Sequence, residues 1–220
     1  MQKYKIFLTF LSYWGKYESY YEKREVKIII LGNTGVGKTC IINRFINNKF
    51  EPNSLSSIGS KSLEKVIKKD DTLFKLVIWD TSGEEKYHSL TNLFIKGSNI
   101  VILVYSVDNL SSFEGLDYWY NTLKQKIEIN NYVLAIVGSK YDLVNNEEVS
   151  EEIGKKYAEE KNAFFKLVSA KADPDGIKAL FDILLNKLIE TMPDFDSSRR
   201  ASFIINKNKH KQKQKQKKCC

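Results

Sequence analysis

An α/β fold, a six-stranded and mostly parallel sheet with helices on both faces, is what this sequence predicts. Three observations carry it. Short apolar runs at residues 26–31, 73–79, 100–106, 133–138 and 164–168 alternate with segments of helical period. A glycine-rich loop, Gly32-Asn33-Thr34-Gly35-Val36-Gly37-Lys38-Thr39, follows the first run and opens a helical pattern. A weaker strand at about 62–68 is joined to the next by the turn Lys69-Asp70-Asp71, which makes a hairpin and one antiparallel edge beside a parallel core.

The helices have local signals. Ser111 with Glu114 forms a capping box ahead of a helix ending near Ile127, Ser150 with Glu151 and Glu152 opens another, and Asp173-Pro174 begins the last, which stops before Pro193. In a doubly wound sheet ligands sit at the carboxyl ends of the strands. The motifs described next all fall there.

A chain of 220 residues with 42% hydrophobic and 28% charged content builds one well-buried domain plus appendages. The predicted division is an extension at 1–25, poorly ordered, a folded domain at 26–192, and a disordered tail at 193–220. The formal charge of +8 is confined to that tail: without Arg199, Arg200 and the seven lysines from Lys207 to Lys218, the remainder carries −1. A nucleic-acid-binding surface on the folded body is therefore not expected. Three cysteines, Cys40, Cys219 and Cys220, form no spaced disulfide framework and point to a reducing compartment. The apolar run 6–11 is too short, and too soon interrupted by Tyr, Trp and Lys, to read as a secretory signal.

The glycine-rich loop binds a nucleoside triphosphate for reasons of clearance and charge. Glycines let consecutive backbone N–H groups curl inward as an anion-binding nest at a helix N-terminus. Lys38 reaches the outer phosphates, and the Thr39 hydroxyl enters the octahedral oxygen shell of Mg²⁺. Thr34, Gly35, Val36, Gly37 and Cys40 complete this part of the candidate nucleotide site, with Cys40 read as a small buried packing residue. Asp80, closing the run Lys75-Leu76-Val77-Ile78-Trp79, holds Mg²⁺ through its water shell, and the N–H of Gly83 faces a terminal phosphate.

Base identity comes from Ser139-Lys140-Tyr141-Asp142 and Ser169-Ala170-Lys171. Guanine presents two N–H donors on one edge, and the Asp142 carboxylate accepts both, whereas adenine has no such pair. An unpaired buried acceptor costs about 1–3 kcal/mol, so this residue selects guanine. Lys140 lies along the base, and the Ala170 backbone donates to the guanine oxygen. A phosphate-loop kinase or ATPase is the weaker reading, since these motifs have no role with adenine.

On these residues the chain resembles the small GTPases of the Ras superfamily and, within them, the Rabs, over about 25–192 and the C-terminus. The Rab-like stretches are 75–79, Lys86-Tyr87-His88-Ser89-Leu90-Thr91 and Leu103-Val104-Tyr105-Ser106, and the Tyr-His-Ser-Leu wording is similar to the endosomal branch. The resemblance implies a G domain whose Phe50 packs on the guanine, with a first switch at Ser57-Ile58-Gly59 and a second from Gly83 to about Thr91, both ordered by the γ-phosphate and Mg²⁺. It also implies an exchange factor, a GTPase-activating protein, effectors, a prenylation escort and a GDP-dissociation inhibitor as partners, with a monomeric G domain.

Departures from the family pattern set further expectations. Ser57 stands for Thr and keeps a hydroxyl for Mg²⁺. Ser139 stands for Asn, losing an amide that bridges base and phosphate loop, which predicts weaker binding and faster exchange. Glu84 stands for Gln; with Lys38 it is the candidate catalytic pair, yet an ionised Glu only accepts hydrogen bonds and adds negative charge near the γ-phosphate, predicting slow hydrolysis. Thr34 crowds the same space. The residues after Ile58-Gly59 read Ser60-Lys61-Ser62, without the acidic and aromatic residues usual there.

The tail alternates Lys with Gln and Asn from 206 to 218 and ends in Cys219-Cys220, which resembles a Rab double-geranylgeranylation site. Two lipid chains, or one plus basic residues, hold a membrane stably. The expected location is the cytoplasmic face of an endomembrane, a vesicle or endosome, in exchange with cytosol. RNA binding through the lysines is the rival reading of the same residues.

Overall fold

β-branched runs become strands here because helices cover both of their faces. The computed structural model describes residues 22–51, 60–82, 93–127 and 132–191. The strands are β1 (Glu22–Leu31), β2 (Ser60–Lys69), β3 (Thr72–Thr81), β4 (Ile100–Ser106), β5 (Val133–Ser139) and β6 (Phe164–Val168). They lie in one sheet in the order β2-β3-β1-β4-β5-β6, with β2 antiparallel to β3 and every other pairing parallel. Every residue of β4 and β5 is buried, as expected of central parallel strands, while β2 at the edge exposes alternate residues.

The helices are α1 (Lys38–Asn47), α2 (Leu110–Glu114), α3 (Leu116–Lys126), α4 (Glu151–Glu160) and α5 (Pro174–Thr191). They divide the apolar residues into two cores. On one face Ile41, Ile42 and Phe45 of α1 and Ile177, Leu180, Phe181, Leu184 and Leu188 of α5 pack on Ile28, Ile30, Ile78, Ile102 and Val104. Phe45 stacks on Phe181 with ring centroids 3.8 Å apart, which locks α1 to α5. On the other face Leu116, Trp119 and Leu123 of α3 and Ala158 of α4 pack on Ile29, Leu31, Val101, Leu103 and Ile136. Each large side chain so buried contributes about 1.5–3 kcal/mol, so the sheet is held rigid beneath the site at its carboxyl edge.

Three local details differ from the sequence expectation. β1 begins at Glu22, four residues before the apolar run, because Glu22–Glu25 pair in register with Thr72–Lys75 through the backbone ladder. The helix expected to be capped by Ser111 is capped instead by Asn109, whose carboxamide oxygen accepts the Ser112 N–H at 2.7 Å, and it is interrupted at Gly115 into α2 and α3. Cys40 is only half-buried. The other starts stand: Ser150 caps α4 by accepting the Ile153 N–H, and the Asp173 carboxylate accepts the Gly176 N–H at 2.7 Å ahead of α5. The hairpin turn places Asp70 at φ 51°. No described helix is long and apolar enough to cross a membrane.

Candidate nucleotide-binding site

The phosphate loop leaves β1 at Gly32, where only glycine fits. Its φ is 145°, and a Cβ there would lie 2.2 Å from the Val104 carbonyl oxygen of the central strand β4. Gly35 and Gly37 also hold positive φ, 78° and 96°, and Gly37 is the residue from which α1 starts. Thr34 and Gly35 are exposed at the tip, while Val36 is buried against the sheet. The sequence Gly-x-x-Gly-x-Gly therefore turns the chain directly into a helix N-terminus.

Lys38, at the first position of α1, is 6% exposed. Its Nζ donates to the carbonyls of Gly32 at 2.7 Å and Asn33 at 2.8 Å, so the ammonium is tethered to the loop that it serves. Burial pushes its pKa down to about 8, against the opposing pull of Asp80. Two of the three ammonium donors are used by these carbonyls, which leaves one for an anion.

Beside it the Thr39 hydroxyl donates to Asp80, 2.9 Å from Oδ2 and 3.1 Å from Oδ1. Asp80 is fully buried near the end of β3, and the neighbouring Thr81 hydroxyl anchors that end by donating to the Ile30 carbonyl at 2.6 Å. A hydroxyl and a carboxylate meeting here are the hard oxygen donors that Mg²⁺ takes, so the residues present fit that ion. Lys61 of β2 brings its Nζ to 3.8 Å from Asp80 Oδ2.

The base loops meet on the neighbouring strand ends. Ser169 Oγ donates to Asp142 Oδ1 at 2.6 Å and accepts the Ala172 N–H at 2.9 Å, which fixes the carboxylate and joins the loop after β5 to the loop after β6. Lys140 has φ 60°, and its Nζ lies 3.7 Å from Asp108 Oδ1, a carboxylate that also accepts from the Ser106 hydroxyl. The Ala170 carbonyl accepts the Arg44 Nε–H at 2.7 Å, tying this loop back to α1, and Lys171 is exposed. Ser139 makes a bridge of its own: its hydroxyl donates to the Val36 carbonyl and links β5 to the phosphate loop, in the absence of the amide that the family resemblance implies there. A hydroxyl on a short side chain reaches that carbonyl because the phosphate loop, on leaving β1, packs over β4, the strand that lies between β1 and β5.

Phe50 is half-buried in the segment after α1, and no hydrogen bond or ring contact among the described residues joins it to the base loops. Ser57, Gly83, Glu84, Cys219 and Cys220 lie outside the described residues. Some supporting residues gave no motif in the sequence. The indole N–H of fully buried Trp119 donates to Asn33 Oδ1 at 3.1 Å, bracing the phosphate loop from α3. Arg44 and Asp108 likewise act across long sequence separations. Only for Arg44 was there any hint, a cation in the last turn of a helix, and that hint speaks of the helix end.

A parallel sheet carrying a glycine loop, a tethered lysine, a Thr–Asp pair and a carboxylate at the base loop defines a phosphate-loop GTPase. The sequence profile described as the Ras family matches residues 27–190. The chain is 35% identical to the Ras-like GTP-binding protein RYL2 of Yarrowia lipolytica, over 77% of this chain and 83% of that protein. It is 35% identical to Ras-related protein Rab-18 of Lymnaea stagnalis, over 80% and 86% respectively. Against human Ras-related protein Rab-22A the identity is 38%, over 67% and 76%. The chain belongs to the Rab branch of the Ras family: it is a small GTPase, hydrolysing GTP to GDP, and a GTP-binding switch of the trafficking class.

Proposed function

We propose that this chain is a membrane-tethered timer, recruiting effectors to the cytoplasmic face of a vesicle or endosome while GTP-bound and turning GTP over slowly by itself. The observation that supports the binding half is the convergence, at one edge of the sheet, of the Lys38 cradle, the Thr39–Asp80 pair and the Ser169–Asp142 pair. Lys38 neutralises the outer phosphates, Asp142 accepts the two guanine donors, and Lys140 lies along the base. Thr39, Ser57 and Asp80 would hold Mg²⁺, which when bound supplies positive charge to the phosphate oxygens.

The slow turnover rests on Glu84. A Gln amide orients water by both donating and accepting; an ionised carboxylate accepts only, and sits near phosphate charge. An activating protein that supplies Gln and Arg in trans would restore the rate. Single-turnover hydrolysis by the chain and by its Glu84→Gln variant tests this. A faster variant supports the reading, and equal rates defeat it. Glu84 also favours a second reading, a constitutively GTP-bound interaction module; GTP turnover that stays negligible when cytosolic extract is added would establish it.

The domain whose sheet begins at Glu22 acts as a monomeric G domain behind an N-terminal extension. The tail at 193–220 acts as the tether, through prenylated Cys219-Cys220 and the lysines before them. Exchange factor, effectors, prenylation escort and GDP-dissociation inhibitor are the partners such a cycle requires. Replacing both cysteines with Ser should abolish membrane recovery. Retention would mean that the lysines act electrostatically alone.

A further inference from the structure

Position 61 joins two observations that the guanine-nucleotide cycle does not itself require. The antiparallel register of β2 and β3 sets Lys61 directly opposite Asp80, so the two side chains leave the same face of the sheet. The ammonium lies 3.8 Å from Asp80 Oδ2 and is more than half exposed, whereas the carboxylate is fully buried. Where the family resemblance leads to an acid in this stretch, the chain carries a cation, and it faces the one carboxylate in the Thr39–Asp80 pair.

A carboxylate read as a magnesium ligand already has a competitor in such an arrangement. Bringing in a divalent ion sets two positive charges against a third that the backbone keeps within a few ångströms. Screening at the exposed ammonium weakens this repulsion without removing it. Thr39 and Asp80 would hold the ion beside the phosphates, where it would supply positive charge, so weaker ion binding would also loosen the nucleotide.

We propose that Lys61 is a tethered cation that competes with Mg²⁺ for Asp80, lowering the magnesium affinity of the nucleotide-bound chain and hastening GDP release when magnesium is scarce. The proposal rests on the reading of Asp80 as the magnesium-site carboxylate. The charge does the work, so Arg in its place preserves the effect, and a neutral residue removes it.

The test is release of a fluorescent GDP analogue from the full chain, followed from chelated to saturating Mg²⁺, for the natural sequence and for Lys61→Gln, Lys61→Arg and Asp80→Asn. For Lys61→Gln the half-saturating Mg²⁺ should fall by roughly three- to tenfold, the order expected on removing one exposed unit charge beside a divalent ion at near-solvent screening. Lys61→Arg should match the natural chain, and with the metal chelated Lys61→Gln should release GDP at the natural rate. An unchanged half-saturating Mg²⁺ in Lys61→Gln overturns the proposal. So does an equal change with and without metal, because the lysine would then act on the nucleotide directly. If Asp80→Asn leaves the magnesium response untouched, the reading of Asp80 itself fails. If Asp80→Asn abolishes that response while Lys61→Gln does nothing, only the inference about Lys61 fails.

Discussion

Replacing Asp142 with Ala should remove guanine recognition in a way that can be counted donor by donor. In the structure one carboxylate oxygen is held by the Ser169 hydroxyl at 2.6 Å, which orients the group while leaving acceptor capacity for the two N–H donors of the base. Hydrogen bonds to a charged group contribute about 1.5–3 kcal/mol each, so losing two costs about 3–6 kcal/mol, or about 10² to 10⁴ in GDP affinity. Asp142 is only half-buried, which places the expected loss toward the lower end of that range. Inosine diphosphate keeps the ring N–H and lacks the amino group. The natural chain should therefore prefer GDP over IDP by about tenfold to a hundredfold, the contribution of one such bond. Asp142→Ala should bring that ratio close to one. Ser169→Ala, which removes only the orienting hydroxyl, should weaken both ligands together and leave the ratio standing. Equilibrium competition binding of GDP and IDP to the three proteins gives all of these numbers. An Asp142→Ala chain that retained the natural GDP-to-IDP preference would refute the assignment of the two donors to this carboxylate.

The glycines of the phosphate loop should separate by position: Gly32→Ala forces a Cβ onto the Val104 carbonyl of a strand paired on both sides and should cost about 3 kcal/mol or more, whereas Gly35→Ala meets no atom within 4 Å and should cost about 1 kcal/mol of backbone strain. Thermal melting of the GDP-bound proteins reads the difference, and equal losses would contradict it. Ser139→Ala cuts the hydroxyl bridge to Val36 and should speed GDP release about three- to tenfold, while Ser139→Asn should slow it below the natural rate; unchanged release in both would remove Ser139 from the exchange pathway. Lys38 gives a pH signature. Its pKa in the fold is about 8 against 10.5 when free, so between these values the unfolded chain holds a proton that the folded chain lacks, and stability of the nucleotide-free protein rises with pH in that window. The gain from pH 7.5 to 9.5 should be about 2 kcal/mol by urea denaturation and should vanish in Lys38→Met. A falling profile, or one that survives in Lys38→Met, would show that this ammonium is not desolvated in the fold.

The sheet was legible in the chain because its central strands are buried on both faces and so appear as unbroken apolar runs; β4 and β5 are the plainest cases. The phosphate loop was equally legible, since close approach of backbone to an anion demands glycine at set spacings, and its lysine and threonine follow immediately. The first four residues of β1 were not, because a backbone ladder holds Glu22–Glu25 in the sheet while their side chains are polar. Nor was the cap at Asn109: Ser111 and Asn109 each offer a side-chain oxygen that can accept, and only the path of the chain out of β4 decides which one meets a free N–H.

For the site the division is similar. Local sequence determined which side chains could do phosphate, metal and base chemistry, because each short motif places its own residues within a turn of one another. Tertiary structure alone decided that Ser169 would orient Asp142, that Trp119 would brace Asn33, that Ser139 would reach Val36, and that Lys61 would stand beside Asp80. The first three pairs are brought together by the order of elements far apart in the chain, and Lys61 by the register of the hairpin that β2 and β3 form. Contacts between distant segments leave no period or spacing in a linear sequence.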